Sequence, residues 1–321
     1  MNSTRAIEVK GLTKYYGDVL AVDHINFGVN KGEIFGFLGP NGAGKTTTVR
    51  MLTTLLAPSE GTALVDGKDI LQDPYGARER AGMLPEEANV YVELSAWDNL
   101  MFTGELYGVS RRRREERAGD LLRILGLYER RNSKAREFSK GMRRRLAVAM
   151  ALVHSPDVLF LDEPSSGLDV QSTILVRGLL RQLRDEGRTI FLTTHQMEEA
   201  NQLCDRVAII DQGRIAVIDT PENLKSTIQS VQSVVVSFAE ARDDLGHGLS
   251  RLEGVLQLRK EGDKFKLYTE DPGALVPLIV DFARDAKARI VSLNCLGPTL
   301  EEVFIKITGL DVGGQPQEDG R

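Results

Sequence analysis

The segment GPNGAGKTT, residues 39–47, constrains this chain more than any other feature. It fits G-x-x-x-x-G-K-[ST], with Gly39, Gly44, Lys45 and Thr46 in register. The apolar run Ile34-Phe35-Gly36-Phe37-Leu38 before it predicts a buried strand, and Thr47 to Leu56 after it predicts a helix. A strand, a glycine-rich loop and a helix start together form a phosphate cradle, because the loop turns its N–H groups inward and the helix end adds a positive dipole. In that cradle Lys45 offers a cation to the β- and γ-phosphates, and Thr46 a hydroxyl to Mg²⁺. The segment implies a nucleoside triphosphate ligand.

The length of 321 residues suggests about two domains, and no apolar run reaches the ~18 residues of a spanning helix. If the work occurs at a membrane, another polypeptide must cross it. The first ten residues, MNSTRAIEVK, carry no apolar stretch of the kind a secretory signal needs. A net charge of -5 argues against a general nucleic-acid binder. The basic run Arg111 to Arg114, with Ser110 as the expected N-cap, is followed at once by Glu115 and Glu116 and reads as a solvated helix surface. The only two cysteines, Cys204 and Cys295, do not make a disulfide scaffold and fit a reducing cytoplasm.

Residues 1 to about 75 read as strand-rich, with strands at Ile7-Glu8-Val9, Val19 to Val29 and Ala63-Leu64-Val65. Ser95 to His154 reads as helical, after which Val158 to Leu161 and Thr189 to Leu192 read as strands buried on both faces. Gln212-Gly213 predicts a hairpin turn. Beyond Pro221 the pattern runs strand (Ser233 to Phe238), helix (Glu240 to Leu252), strand (Val255 to Arg259), strand (Lys264 to Tyr268), helix (Gly273 to Ala286), strand (Arg289 to Asn294). A last helix follows at Thr299 to Ile307. The first six elements have a ferredoxin-like order. The scattered acids Asp243, Asp244 and Asp271 read as surface, and the polar tail, residues 311–321, as disordered.

Three further stretches carry chemistry. Val158-Leu159-Phe160-Leu161 ends in Asp162-Glu163, two adjacent carboxylates that repel unless a cation or a reacting water uses them. Beside a phosphate loop, Asp162 would help hold Mg²⁺ and Glu163 would polarise the attacking water. His195, just past an apolar strand, would face the same site. Phe138-Ser139-Lys140-Gly141-Met142 opens a helix with Ser139 as N-cap, Gly141 permitting a close backbone approach and free N–H groups suited to a phosphate.

Taken together these residues resemble an ATP-binding-cassette transporter ATPase over residues 5 to about 225. GPNGAGKT resembles that family's Walker A, LFLDE its Walker B with catalytic Glu163, and SGLD its D-loop. FSKGM resembles its signature and TTH its switch-histidine loop, while Tyr16 matches the aromatic that stacks on adenine. The resemblance implies catalytic residues Glu163 and His195. It implies ATP contacts from Tyr16, Gly39, Pro40, Asn41, Gly42, Ala43, Gly44, Lys45, Thr46, Thr47, Ser139 and Gly141, and Mg²⁺ contacts from Thr46, Glu86 and Asp162. Two departures stand out. Glu86 replaces the usual glutamine, and Lys140 and Met142 replace the second glycine and the glutamine of the signature. Both resemble the subgroup that serves ABC-2 type permeases, including drug and antibiotic exporters, as does the ending GPTLEEVFIKITG.

The implied fold is an α/β P-loop NTPase cassette over residues 1–225, with a RecA-like core, an antiparallel β-subdomain and a helical subdomain at about 88–155. A small α+β ferredoxin-like domain would span 226–310. The implied engine is a homodimer, or a pair with a second such ATPase, holding ATP between one Walker A and the partner's signature. It would lie on the inner face of the cell membrane, docked through Glu86 to Leu94 on a separate permease, with no nucleic acid as partner. Two rivals stand beside it. An importer-type ATPase with a regulatory C-terminal domain would carry a small β-barrel there. A soluble cassette protein acting on ribosomes or DNA would carry a second cassette or long coiled coils. A GTPase would need an N-K-x-D motif, and none is present.

Overall fold

A computed structural model describes residues 4–87, 89–227, 232–240, 243–297 and 299–309. Its contacts divide the chain into two units, Met1–Pro221 and Glu222–Arg321, a division four residues before the 225/226 boundary expected from the sequence.

The N-terminal unit opens with the hairpin β1 (Arg5–Tyr16) and β2 (Val19–Asn30), then β3 (Ile34–Leu38), α1 (Lys45–Leu52), β4 (Glu60–Val65) and β5 (Lys68–Asp69). Next come α2 (Pro74–Arg80), β6 (Ala81–Leu84), α3 (Ala96–Leu106), α4 (Arg111–Ile124) and α5 (Lys140–Leu152). The unit continues with β7 (Val158–Asp162), α6 (Val170–Asp185), β8 (Thr189–Thr194), α7 (Met197–Leu203), β9 (Arg206–Asp211) and β10 (Arg214–Asp219). A short helix, α8 (Pro221–Thr227), follows.

Two sheets form. One is antiparallel, in the order β2-β1-β4-β5; the other is six-stranded, β10-β9-β3-β8-β7-β6, parallel except for its edge strand β10. Every residue of β3, β7 and β8 is buried, which is why these strands read as unbroken apolar runs. The sheets share a core in which Phe27 of β2 meets Phe35, Phe37 and Phe191 at ring separations of 5.6 to 6.0 Å. Each such ring contributes roughly 1.5–3 kcal/mol by leaving water. That core fixes β3, and so fixes where the phosphate loop starts.

Several local expectations shift. Helix α1 begins at Lys45 rather than Thr47 and ends at Leu52. Between the strand-rich and helical regions the structure adds α2 and the sheet strand β6, which the sequence reading passed over. Ser110 occupies the N-cap of α4 but makes no side-chain cap bond, whereas Ser139 Oγ accepts from the N–H of Met142 at 3.2 Å. The turn between β9 and β10 has Gln212 at φ 45° and Gly213 at φ 79°, both left-handed, as a tight two-residue hairpin needs. Its Gly213 N–H donates to Ala43 of the phosphate loop at 3.1 Å, and its carbonyl accepts from Asp23 N–H at 2.9 Å.

The C-terminal unit contains β11 (Gln232–Phe238), α9 (Asp243–Leu249), β12 (Gln257–Glu261), β13 (Lys264–Thr269), α10 (Pro272–Asp285), β14 (Ile290–Leu296) and α11 (Leu300–Thr308). Strand β12 starts two residues later than the pattern suggested, after the left-handed Gly254. The sheet is antiparallel throughout, in the order β12-β13-β11-β14. Val234, Val236 and Phe238 of β11 pack with Leu245 and Leu249 of α9 and Leu275 and Ile279 of α10. Strand residues alternate faces, so Lys266 points away from its neighbours Phe265 and Leu267, which join that core. There it meets Glu302 of α11 at 2.9 Å. Helix α11 starts with a capping box between Thr299 and Glu302 and stops at the left-handed Gly309. The tail expected at residues 311–321 lies outside the described residues.

Candidate active site

The loop between β3 and α1 needs glycine where other backbone comes close. Gly44 has φ 102°, and a Cβ there would lie 2.6 Å from the carbonyl oxygen of Ala21; a Cβ on Gly39 would lie 2.5 Å from that of Ile210. The loop's Pro40, Asn41, Gly42, Gly44, Lys45, Thr46 and Thr47 line an open cleft of about 320 Å³, with Ala21, Glu86 and Glu163 on its sides. Ala43 is buried beneath it. Lys45 is 7 % exposed, and its Nζ donates to the carbonyls of Gly39 at 2.7 Å and Pro40 at 3.1 Å. Burial lowers its pKa, opposed by Glu163, Asp162 and Glu86.

The two carboxylates stand at the C-terminal tip of β7. Thr193 of the neighbouring β8 donates its hydroxyl to Asp162 Oδ1 and its backbone carbonyl accepts the N–H of Glu163 at 3.1 Å. Glu163 adopts φ 52°, a left-handed conformation that costs an L side chain on the order of 1–3 kcal/mol. Its Oε1 lies 3.0 Å from His195 Nδ1 and 3.9 Å from Lys45 Nζ, and its Oε2 has no hydrogen-bond partner among the described residues. Burial raises its pKa, and the bond to His195 works against that rise. A carboxylate so placed accepts a proton more readily than one in water. His195, half exposed, follows the last residue of β8.

Thus the phosphate loop, Glu86, Asp162, Glu163 and His195 converge. Three other expected ligands do not join them. Ser139 and Gly141 lie at the start of α5 and do not line the cleft. Among the described residues no backbone comes close to Gly141: a Cβ there would meet side-chain atoms of Leu168 and Ser172, at 3.7 and 3.8 Å. Tyr16, 45 % exposed at the end of β1, is also outside the cleft lining.

Sequence reasoning passed over residues that hold this site in shape. Thr193 orients Asp162. Glu199 of α7, 1 % exposed, accepts the hydroxyl of Ser165, two residues past Glu163. Arg144 of α5, 3 % exposed, reaches the carbonyls of Asp162 and Glu163. Arg144 was open to discovery, because it shares a helix face with Ala147, Val148 and Ala151 at i+3, i+4 and i+7.

A phosphate loop on a mostly parallel sheet, with an acid pair on one adjacent strand and a histidine on the next, defines a P-loop ATPase. The ABC transporter family model matches residues 22–166. The daunorubicin/doxorubicin resistance ATP-binding protein DrrA of Streptomyces peucetius is 40 % identical over 95 % of this chain and 93 % of its own length. The Nod factor export ATP-binding protein I of Cupriavidus metallidurans is 37 % identical over 96 % and 99 %. A solved ATP-binding subunit of an ABC transporter superposes with a TM-score of 0.65 at 29 % identity, covering 69 % of this chain and 92 % of that one. The chain belongs to the ABC transporter family, as an ATP-binding protein that hydrolyses ATP.

Proposed function

We propose that this chain powers export through a separate ABC-2 type permease, with two copies, or one copy and a second such ATPase, closing on ATP. The relatives named for drug resistance and Nod factor export support the direction. Among the described residues no helix is long and apolar enough to cross a membrane. In this reading the pathway belongs to another subunit, and this chain works at the membrane's inner face. The antiparallel sheet of the C-terminal unit, flanked by helices rather than closed on itself, speaks against the importer-type reading with its β-barrel.

The observation that carries the two-copy reading is the placement of Ser139 and Gly141. They head a capped helix yet do not line their own chain's cleft, which supports a triphosphate held between two chains. In that arrangement the loop N–H groups, Lys45 and Thr47 bind the phosphates of ATP, and Tyr16, exposed at the end of β1 outside the cleft lining, stacks on an adenine that extends beyond the cleft. Glu163 orients the attacking water and draws its proton as the oxygen bonds to the γ-phosphorus and the bond to ADP breaks. His195 holds Glu163 Oε1 and faces the leaving phosphate.

Magnesium fits the donors present. Thr46, Asp162 and Glu86 offer hard oxygens around the cleft, while no cluster of three or more His, Cys, Asp or Glu among the described residues would cage an ion unaided. Held by these residues beside the triphosphate, the ion would supply positive charge to its oxygens.

Docking to the permease falls to Glu86 to Leu94, of which residue 88 lies outside the described residues. Asn99 braces this stretch, its amide bonding both backbone groups of Tyr91 at 2.9 and 3.0 Å and the carbonyl of Ser95 at 2.8 Å. Exposed Tyr91 meets Phe102 edge-on at 5.1 Å beside exposed Val92, an apolar surface for a partner segment.

Sedimentation of the purified chain tests the pairing. The Glu163→Gln variant with ATP should run as a dimer, and adding Ser139→Arg should return it to monomer. A Glu163→Gln chain that stays monomeric at saturating ATP would exclude the pair of identical copies and leave the pair with a second such ATPase; an unaffected double variant would overturn the role given to Ser139.

A further inference from the structure

Arg144 is a buried cation with no carboxylate paired to it among the described residues. Its guanidinium is instead spent on main-chain carbonyls from two separate loops. Nη1 donates to Pro85 and, at 2.6 Å, to Glu86, both in the loop after β6. Nη2 donates to Asp162 at 2.6 Å and Glu163 at 2.7 Å, and Nε lies 3.5 Å from the carbonyl of Pro164. Burial costs this charge, as its lowered pKa records, while Asp162, Glu86, Glu163 and Glu199 offset the cost from a distance.

A core position on an amphipathic helix is filled more cheaply by an apolar side chain. What a guanidinium adds is reach and a planar fork of donors that serves several acceptors at once. Here the fork joins three things. One is α5, whose first turn holds Ser139 and Gly141. The second is the loop bearing Glu86, which leads into the stretch ending at Leu94. The third is the backbone of Glu163, whose left-handed turn needs outside support. From the other side Glu199 holds the same turn through Ser165.

We propose that Arg144 is a positioning residue for ATP hydrolysis, tying the helix that carries Ser139 and the loop that carries Glu86 to the backbone that aims the Glu163 carboxylate. Any displacement of α5 or of the Glu86 loop must then strain or break bonds to residues 162 and 163. An event at Ser139 or beyond Glu86 is thereby felt at the catalytic carboxylate without a contact to nucleotide from Arg144 itself. This inference rests on Glu163 being that carboxylate.

The test uses the purified full chain with Mg-ATP, counting binding sites with a fluorescent ATP analogue so that turnover is expressed per occupied site. Arg144→Gln should lower kcat per site at least about tenfold, while KM and analogue affinity stay within about threefold, since the residue is buried and does not line the cleft. Arg144→Lys, which keeps the charge and part of the donor set, should fall between Gln and wild type. Arg143→Gln removes a neighbouring arginine whose side chain, among the described residues, bonds the carbonyls of Ala135 and Arg136, and should leave kcat per site unchanged. Wild-type kcat per site in Arg144→Gln, or an equal loss in Arg143→Gln, would overturn the proposal. If Arg144→Gln does not fold, Arg144→Lys decides alone: a drop of at least about threefold supports the tie and an unchanged value refutes it. A parallel Glu163→Gln chain separates the two ideas, because undiminished ATPase there removes Glu163 from its role whatever Arg144 does.

Discussion

The N-terminal unit takes Lys45, Arg144, Asp162, Glu163 and Glu199 out of water, whereas the described polar residues buried in the C-terminal unit are Ser233, Ser237 and Thr269. Serine and threonine are cheap to bury once bonded, as Ser237 is to Ser292 at 2.7 Å. Buried charges are expensive even when bonded. Apart from Glu33, which precedes β3, they gather in the first unit around the C-terminal end of β7, where Glu163 and Lys45 approach to 3.9 Å beside an open cleft. The contrast teaches where this chain spends stability on chemistry and where it merely folds.

The largest expected effect follows from Glu163. Glu163→Gln should cut phosphate release by about 10²–10⁴-fold, the usual worth of a positioned acid–base group. Because burial raises the carboxyl's pKa, its ionised form is costly, so the neutral variant should melt no lower than wild type in calorimetry. A variant that loses activity and stability together would erase the contrast between the units. Next comes Leu267→Ala in the core of the C-terminal unit, expected to cost about 2–5 kcal/mol in chemical denaturation. ATP-analogue affinity should stay within about twofold, since Leu267 belongs to the core of the other unit.

The two thiols offer a finer probe. Exposed Cys295 on β14 should be alkylated at once in the native chain. Buried Cys204, whose pKa is held well above the ordinary thiol value by burial, should react only on unfolding, as mass spectrometry of each peptide would reveal. Prompt labelling of Cys204 would mean the first unit opens more readily than its packing implies.

The smallest effect concerns pH. His24 Nδ1 lies 2.7 Å from Asp23, itself bound to Arg214, and Nε2 lies 3.2 Å from Glu60. The hydrogen bond to Asp23, then that to Glu60, raises the imidazole pKa in the folded chain. A raised folded value means that the contribution is complete below the unfolded pKa and is lost as pH rises through the folded one. Wild type should therefore out-melt His24→Gln at mildly acid pH, with the gap closing toward alkaline pH. A gap that widens with pH would reverse the assigned sign.

What the sequence disclosed was contiguous. Residues 39–47, Asp162-Glu163 and His195 are each fixed by neighbours along the chain, and the sheet brings their strand tips side by side. What it concealed depends on non-local approach. Thr193 matters because β8 lies beside β7, and Arg144 because α5 passes under two distant loops. Strand β6 stayed hidden for another reason: Ala81-Gly82-Met83-Leu84 is short and weakly strand-forming, and its place in the sheet comes from pairing with Val158 to Leu161. The C-terminal elements were legible from alternation and breakers, but strand and helix ends moved by a few residues, where tertiary contacts decide.

The β9–β10 turn carries a practical consequence. A two-residue hairpin at a sheet edge is ordinarily where an engineer would splice an epitope or a fluorophore. Here the N–H of Gly213 props Ala43 from below, and its carbonyl receives Asp23. An insertion at that bend should therefore be read out as weakened ATP capture some 170 positions upstream (213 against 43), in a protein that otherwise looks intact.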